Sequence, residues 1–176
     1  MRSFVGFVVP NLALPPMCHS QFKPGPPSDM AQVASYFIYQ VIENSQLINL
    51  NDLCIKPGKL VWTLYVDMTC LNYGGNILDV CIKSLCAALR GVKLPHVEIK
   101  DEEEEDKEGE EMQLDEGKEE ISVDLTHLKC LRMNKEIPFS CTIAVFDGEK
   151  LLVDPTEEEE TLADTTVTIV VQVNIC

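Results

Sequence analysis

The sequence predicts a mixed fold, α/β or α+β, with more strands than helices. Residues 61–90 read as a strand, a Gly74-Gly75 turn and a helix. Asp147-Gly148 separates two short apolar runs, Val145-Phe146 and Leu151-Leu152-Val153, which is a hairpin pattern. Elsewhere apolar residues recur at helical spacing between strand-like runs.

Taken in order, residues 4–9 (FVGFVV) predict a first strand. Residues 10–28 hold six prolines and Gly25 and predict a loop. Ser28 or Asp29 is placed to cap a helix running to about Ser45, with Ala31, Ala34, Phe37, Ile38, Val41 and Ile42 as its apolar face. Residues 52–58 lead through a Pro57-Gly58 turn into a strand at 60–71. Val61, Thr63, Tyr65 and Thr69 there are the β-branched and aromatic types that suit a pleated, half-buried surface. Gly74-Gly75 supplies positive φ, and Asn76 is placed to cap the helix that follows. Ile77, Val80, Cys81, Leu85, Ala88 and Leu89 form the apolar face of that helix over 77–90. A short strand is expected at 94–100, and others near 121–133, 139–147, 150–154 and 166–175. The sequence starts inside one predicted strand and stops just after another, so sheet edges are left unpaired. The expectation is one incomplete domain over 1–176.

Charge is unevenly spread. Residues 101–120 hold 13 acidic and 2 basic residues, a net of −11 out of −15, which leaves −4 for the other 156 residues. Like charges at that density repel and bury nothing, so 101–120 is expected to be a disordered insertion. The remainder shows no basic stripe, so any nucleic-acid surface is weak or shared with a partner. Eight cysteines lie mostly in apolar runs without C-x-x-C spacing or clustered histidines. They read as reduced, buried thiols rather than as a zinc site or a disulfide framework. No run approaches the ~18 apolar residues of a membrane helix. The start, MRSFVGFVVPNLALPP, mimics a signal peptide, but Pro10, Asn11, Pro15 and Pro16 break its apolar stretch.

Candidate chemistry is sparse. DPTEEEETLAD at 154–164 bunches carboxylates that can hold Mg²⁺ through oxygen ligands, or that can simply be surface charge. Asp67 on the strand and Asp79 on the helix of the strand–turn–helix unit either converge at its tip or serve as structural hydrogen-bonding acids. The acidic run can grip a basic partner or remain solvated. No glycine-rich phosphate loop, G-x-S-x-G elbow, H-E-x-x-H or Cys/His nucleophile pair is present.

Four stretches carry a resemblance: GFVVPNLALPP with FKPGPP (6–27), AQVASYFIYQVIENSQ (31–46), DLCIKPGKLVWTLYVDMTCLNYGGNILDVCIKSLCAALRGVKLP (52–95) and FSCTIAVFDGEKLLVDPTEEEETLADTTVTIVV (139–171). On these the chain resembles the RNase PH superfamily, and within it the non-catalytic ring subunits of the RNA exosome. The resemblance implies an RNase PH-like two-layer sandwich, related to the second domain of ribosomal protein S5 and here incomplete. It implies a ring of such subunits around an RNA channel, with S1- and KH-type cap subunits, no membrane and no cofactor. It also implies a place in the nucleus, nucleolus and cytoplasm.

Departures from active members point the same way. Those members carry phosphate- and RNA-binding arginines along the first helix, whereas residues 29–50 contain no Lys or Arg, and Asn44 and Gln46 stand near two of those positions. The active signature L-D-x-D-x-x-E-D reads V-D-P-T-E-E-E-E here. Asp154 and Glu159 keep their acids, Glu160 replaces an Asp and Thr156 replaces the second Asp. Without a cationic clamp, phosphate has nothing to hold it for attack. The expected function is therefore a non-catalytic exosome ring subunit in 3′→5′ RNA processing and degradation, including rRNA maturation and mRNA decay. The alternatives are an active phosphorolytic exoribonuclease or an acidic protein-interaction fragment. Candidate RNA contacts are the cations Lys56, Lys59, Lys83 and Arg90 on or beside the strand–turn–helix unit; no catalytic or metal residue is assigned.

Overall fold

The computed structural model describes residues 6–100 and 120–174. Its elements are β1 (Phe7–Ala13), α1 (Asp29–Ser45), a short 3-10 turn (Leu50–Leu53), β2 (Cys54–Lys56), β3 (Leu60–Val61), β4 (Thr63–Thr69), α2 (Ile77–Gly91), β5 (Lys93–Lys100), β6 (Glu120–Cys130), β7 (Glu136–Phe146), β8 (Lys150–Val153), α3 (Glu157–Leu162) and β9 (Thr165–Asn174). They divide between two units: Met1–Gly91 with Arg132–Cys176, and Val92–Leu131.

In the first unit β1 pairs in parallel with β4, from Phe7↔Thr63 to Ala13↔Thr69. This corrects the expected loop at 10–13, since the strand runs straight through Pro10. The phase of the ladder explains it. The Phe7 amide points toward the partner, donating to Trp62 O at 3.2 Å. The Leu12 amide points away and donates to Ser35 Oγ on α1 at 2.9 Å. Pro10 shares the phase of Leu12, so its missing N–H removes no ladder bond. Val8, Pro10 and Leu12 are buried and alternate with exposed Phe7, Val9 and Asn11.

α1 starts as its capping chemistry dictates. Ser28, extended at φ −64° and ψ 157°, accepts from Ala31 N, and Asp29 lies in the first turn where the helix dipole favours negative charge. Ala31, Ala34, Ile38, Val41 and Ile42 are buried, while Phe37 is only half-buried. The single strand expected at 60–71 is broken at Trp62, whose amide donates to Leu53 O at 2.7 Å.

α2 buries Cys81, Ile82, Leu85, Cys86 and Leu89 together with Asp79, and packs against β7. Its core face is rotated from the expected one: Val80 and Ala88 are exposed, while Ile82 and Cys86 turn inward. β7 is the centre of an antiparallel sheet ordered β8-β7-β9. Asp147 (φ 51°) and Gly148 (φ 68°) make the expected hairpin turn between β7 and β8. Pro138, Ser140, Thr142 and Ala144 of β7 are buried.

The second unit is the antiparallel hairpin β5–β6, running from Lys93↔Cys130 to Lys100↔Glu120, with its register broken between Pro95 and His96. The expected acidic insertion lies outside the described residues except for Glu120, which opens β6. The seven described cysteines are free thiols; Cys18, Cys70, Cys81 and Cys86 are buried and Cys130 is exposed. No described helix is long and apolar enough to cross a membrane.

Candidate functional site

The tip of the strand–turn–helix unit is a polar cluster centred on Asn76. Gly75 must be glycine there. At φ +100° a Cβ would lie 2.5 Å from Glu157 N and 2.6 Å from Thr156 C, both backbone atoms that cannot swing aside. This contact sets the start of α3 against the start of α2, and Glu157 N donates to Gly74 O at 3.1 Å. Asn76 (φ 45°) and Asp154 (φ 60°) then both adopt left-handed backbone, which Asn and Asp tolerate better than other side chains.

Three carboxylates converge on this asparagine. Asn76 Nδ2 donates to Asp79 Oδ2 at 3.0 Å and to Asp154 Oδ1 at 2.5 Å. Glu160 Oε1 accepts from the Asn76 backbone amide at 3.0 Å, and Glu160 Oε2 accepts from Tyr73 OH at 3.3 Å. Asp79 also accepts from Thr142 N at 2.9 Å and Thr142 Oγ1 at 3.0 Å, which ties α2 to the central strand β7. Asn76 and Asp79 are 5% and 4% exposed, so the inner part of this network is shielded from water, while Glu160 is half-buried and Asp154 is exposed. Burial first, and then the charge of Glu160, raises the Tyr73 hydroxyl pKa and keeps that group a donor.

A second contact braces the same tip. His19 Nδ1 accepts from Gln21 N at 3.3 Å, which leaves Nε2 to donate to Glu157 Oε2 at 3.2 Å. The rings of His19, Phe22 and Tyr73 meet edge to face, with Phe22 and Tyr73 centroids 5.4 Å apart.

The sequence candidates are redistributed by this geometry. Asn76 does not cap α2 through its side-chain oxygen; its NH₂ is spent on carboxylates, and the carboxylate at the start of the helix is that of Glu160. Asp79 does meet part of the 154–164 segment through Asn76. Asp67 does not: it points from the exposed face of β4 and accepts from Asn11 Nδ2 at 3.2 Å. The glutamate run forms the short helix α3, capped by Thr156 and Glu159, whose groups each accept from the other's backbone amide. Among the described residues no group of three His, Cys, Asp or Glu side chains is disposed to hold a metal ion. Lys56 ends β2 and Lys59 sits in the following turn, its amide donating to Lys56 O at 3.1 Å. Lys83 and Arg90 are exposed two turns apart on one side of α2, with Lys83 Nζ 5.5 Å from the Phe139 ring centroid.

The convergence on Asn76 was missed from sequence. One signal was present: an acid, Asp79, in the middle of an apolar helical stretch, three residues after Asn76 on the same face.

Residues 1–95 match domain 1 of the 3′ exoribonuclease family (RNase PH), and residues 136–174 match its domain 2. The chain is 43% identical over 164 residues to the exosome complex component rrp43 of Schizosaccharomyces pombe, covering 93% of this chain and 54% of that protein. It is 36% identical over 159 residues to the exosome complex component Rrp42 of Sulfurisphaera tokodaii, covering 90% and 51%. It therefore spans about half the length of these relatives. Its structure superposes on a chain of the Archaeoglobus fulgidus exosome with RNA bound to the active site at a TM-score of 0.73, with 28% identity over 96% of this chain and 56% of that one. The mixed α/β fold is thus RNase PH-like. Because the domain 1 match alone takes in more than half of the sequence, this chain belongs to the 3′ exoribonuclease family, the RNase PH family.

Proposed function

We propose that the chain is a non-catalytic ring subunit of the RNA exosome, acting in 3′→5′ RNA processing and degradation, including rRNA maturation and mRNA decay. Its partners on this reading are other RNase PH-like ring subunits, S1- and KH-type cap subunits and RNA in the ring channel, in the nucleus, nucleolus and cytoplasm. The likeness to exosome components supports the assembly.

One observation carries the non-catalytic reading. The start of α2, where the exposed amides of a helix attract anions, is already held by the Glu160 carboxylate and ringed by Asp79 and Asp154. The described arginines, Arg90 and Arg132, and Lys83 form no ion pair with these acids. Phosphate entering here meets negative charge that none of Lys83, Arg90 and Arg132 offsets, the reverse of what phosphoryl transfer requires. RNA contact falls to Lys56, Lys59, Lys83 and Arg90, which would touch the backbone rather than read bases.

The test is a tagged pull-down from cell extract read by mass spectrometry, together with a phosphorolysis assay. Recovery of ring and cap subunits without phosphate-dependent release of nucleoside diphosphates is expected. Release of nucleoside diphosphates would establish the active alternative, and a prey list without ring subunits would end the ring assignment. Charge reversal at Lys83 and Arg90 should weaken RNA binding evenly across sequences and lower the salt slope by about one per lost phosphate contact.

A further inference from the structure

We propose that the outer edge of β9 pairs with β9 of a second copy of this chain, antiparallel and about a two-fold axis, to make one continuous sheet. The inference does not rest on the ring reading above. β9 ends the order β8-β7-β9, so one of its edges has no strand beside it among the described residues. The phase of the ladder shows which groups that edge carries. Val145 O turns toward β9 and accepts from Asp164 N at 2.9 Å, while Thr142 O turns toward β8 and accepts from Asp154 N at 3.0 Å. Odd-numbered residues of β7 therefore face β9. Through the pairs Ile137↔Val173 to Val145↔Thr165 they take up the odd-numbered backbone groups of β9. Thr166, Thr168, Val170 and Gln172 turn their N–H and C=O groups outward.

Three other strands of the first unit are guarded against such pairing. Pro10 offers no N–H from the outer edge of β1, and the Leu12 amide there is spent on Ser35 Oγ. β8 is four residues long and begins with Lys150, and β4 carries Asp67. β9 has none of these devices: TTVTIVVQVN runs for ten residues without a charge, a proline or a break in register. Its outer-face side chains Val167, Ile169, Val171 and Val173 are exposed. One register makes this strand its own complement. With Val170 opposite Val170 of the second copy, Thr168 meets Gln172 and Thr166 meets Asn174, and their outward backbone groups exchange hydrogen bonds. Between them Ile169 meets Val171 and Val167 meets Val173, in the non-hydrogen-bonded pairs where side chains come closest. Every apolar residue then faces an apolar one and every polar residue a polar one. A charged strand from another protein would set its charge against valine or isoleucine, so a second copy is the occupant that fits. The contact is isologous and uses up this edge on both copies, so it closes at two.

The test is sedimentation of the full chain across a range of concentrations. A reversible monomer–dimer equilibrium is expected, and it should tighten as salt screens the charge of −15 that each copy carries. Val170→Pro removes an outward N–H while the odd-numbered ladder to β7 stays intact. The two-fold removes that donor from both copies, so the dimer should weaken about tenfold or more. A second pair of variants does not depend on the proline being tolerated. Ile169→Lys and Val171→Glu change exposed side chains, and each alone should weaken the dimer. Mixing the two should give a heterodimer, because the register sets the new lysine of one copy against the new glutamate of the other. A chain that is monomeric across the range, a dimer undiminished in a folded Val170→Pro, or no heterodimer on mixing would overturn the proposal. Assemblies that grow without limit would overturn the closed pair in favour of open stacking of strands.

Discussion

At the scale of single residues, Asp79 does the most to join distant parts of the chain. Its carboxylate accepts from Asn76 and twice from Thr142, which is 63 residues away, and it is almost fully buried. Asp79→Ala would leave the Thr142 amide and one Asn76 donor without partners inside the fold. The expected loss is about 2–4 kcal/mol, read as a shift of the urea midpoint. Asp79→Asn should fall between wild type and Ala, because one acceptor survives while its NH₂ faces other donors. A shift within experimental error for the alanine variant would mean that water replaces the carboxylate at no cost. Buried thiols and Tyr73 set a second expectation. Burial, then the nearby Cys70, pushes the Cys81 thiol up to about 11 from 9.0. Burial likewise raises Cys70, Cys86 and Tyr73. In each case the folded chain keeps a proton that the unfolded chain has lost, so this stabilisation is intact below the unfolded thiol value of 9.0. It fades as pH rises toward about 11. Urea midpoints should therefore fall progressively above pH 9, and less steeply in Cys81→Ala.

At the scale of elements, the Gly75 turn fixes α2 against α3. Gly75→Ala places a methyl group among backbone atoms of Pro155, Thr156 and Glu157, and does so at positive φ. Left-handed backbone alone costs an alanine about 1–2 kcal/mol, and the clash adds to it, so a loss of about 3 kcal/mol is expected in thermal unfolding. Amide exchange should speed up first at Asn76 and Glu157, whose hydrogen bonds cross this contact. The sequence made this strand–turn–helix unit legible because glycine and the 3.6-residue period are local signals. The Ser28 cap and the Asp147-Gly148 hairpin were legible for the same reason. What escaped was decided by partners far along the chain. Pro10 sits inside a strand because its phase in a parallel ladder faces away from β4. Val80 turns outward and Asp79 inward because Thr142 supplies the donors that make a buried acid tolerable. The glutamate run left a metal site and plain surface charge open, and Thr156 and Glu159 spell a capping box, a local pattern masked by the neighbouring acids.

At the scale of the whole molecule, charge and topology separate. Net charge is −11 within 101–120 and −4 elsewhere, and that run enters the fold between two strands that pair with each other. Lys100 and Glu120 stand opposite one another at the end of the β5–β6 ladder, so the hairpin register does not depend on what joins them. A two-residue Asn-Gly turn is geometrically suited to closing such a pair. Replacing 101–119 by Asn-Gly should therefore preserve the fold, with stability rising by about 1–2 kcal/mol from the shorter loop. The net charge of the shortened chain should be −5, because 101–119 carry −10 of the −15, and the salt dependence of its interactions should shrink accordingly. The same replacement divides two accounts of function. A ring subunit binds its neighbours through the folded units, so recovery of ring proteins should be unchanged. A module that works by gripping basic partners through its acids would lose its main interaction. Loss of every partner from a replaced chain that still unfolds cooperatively would therefore decide for the acidic-module reading and against ring membership.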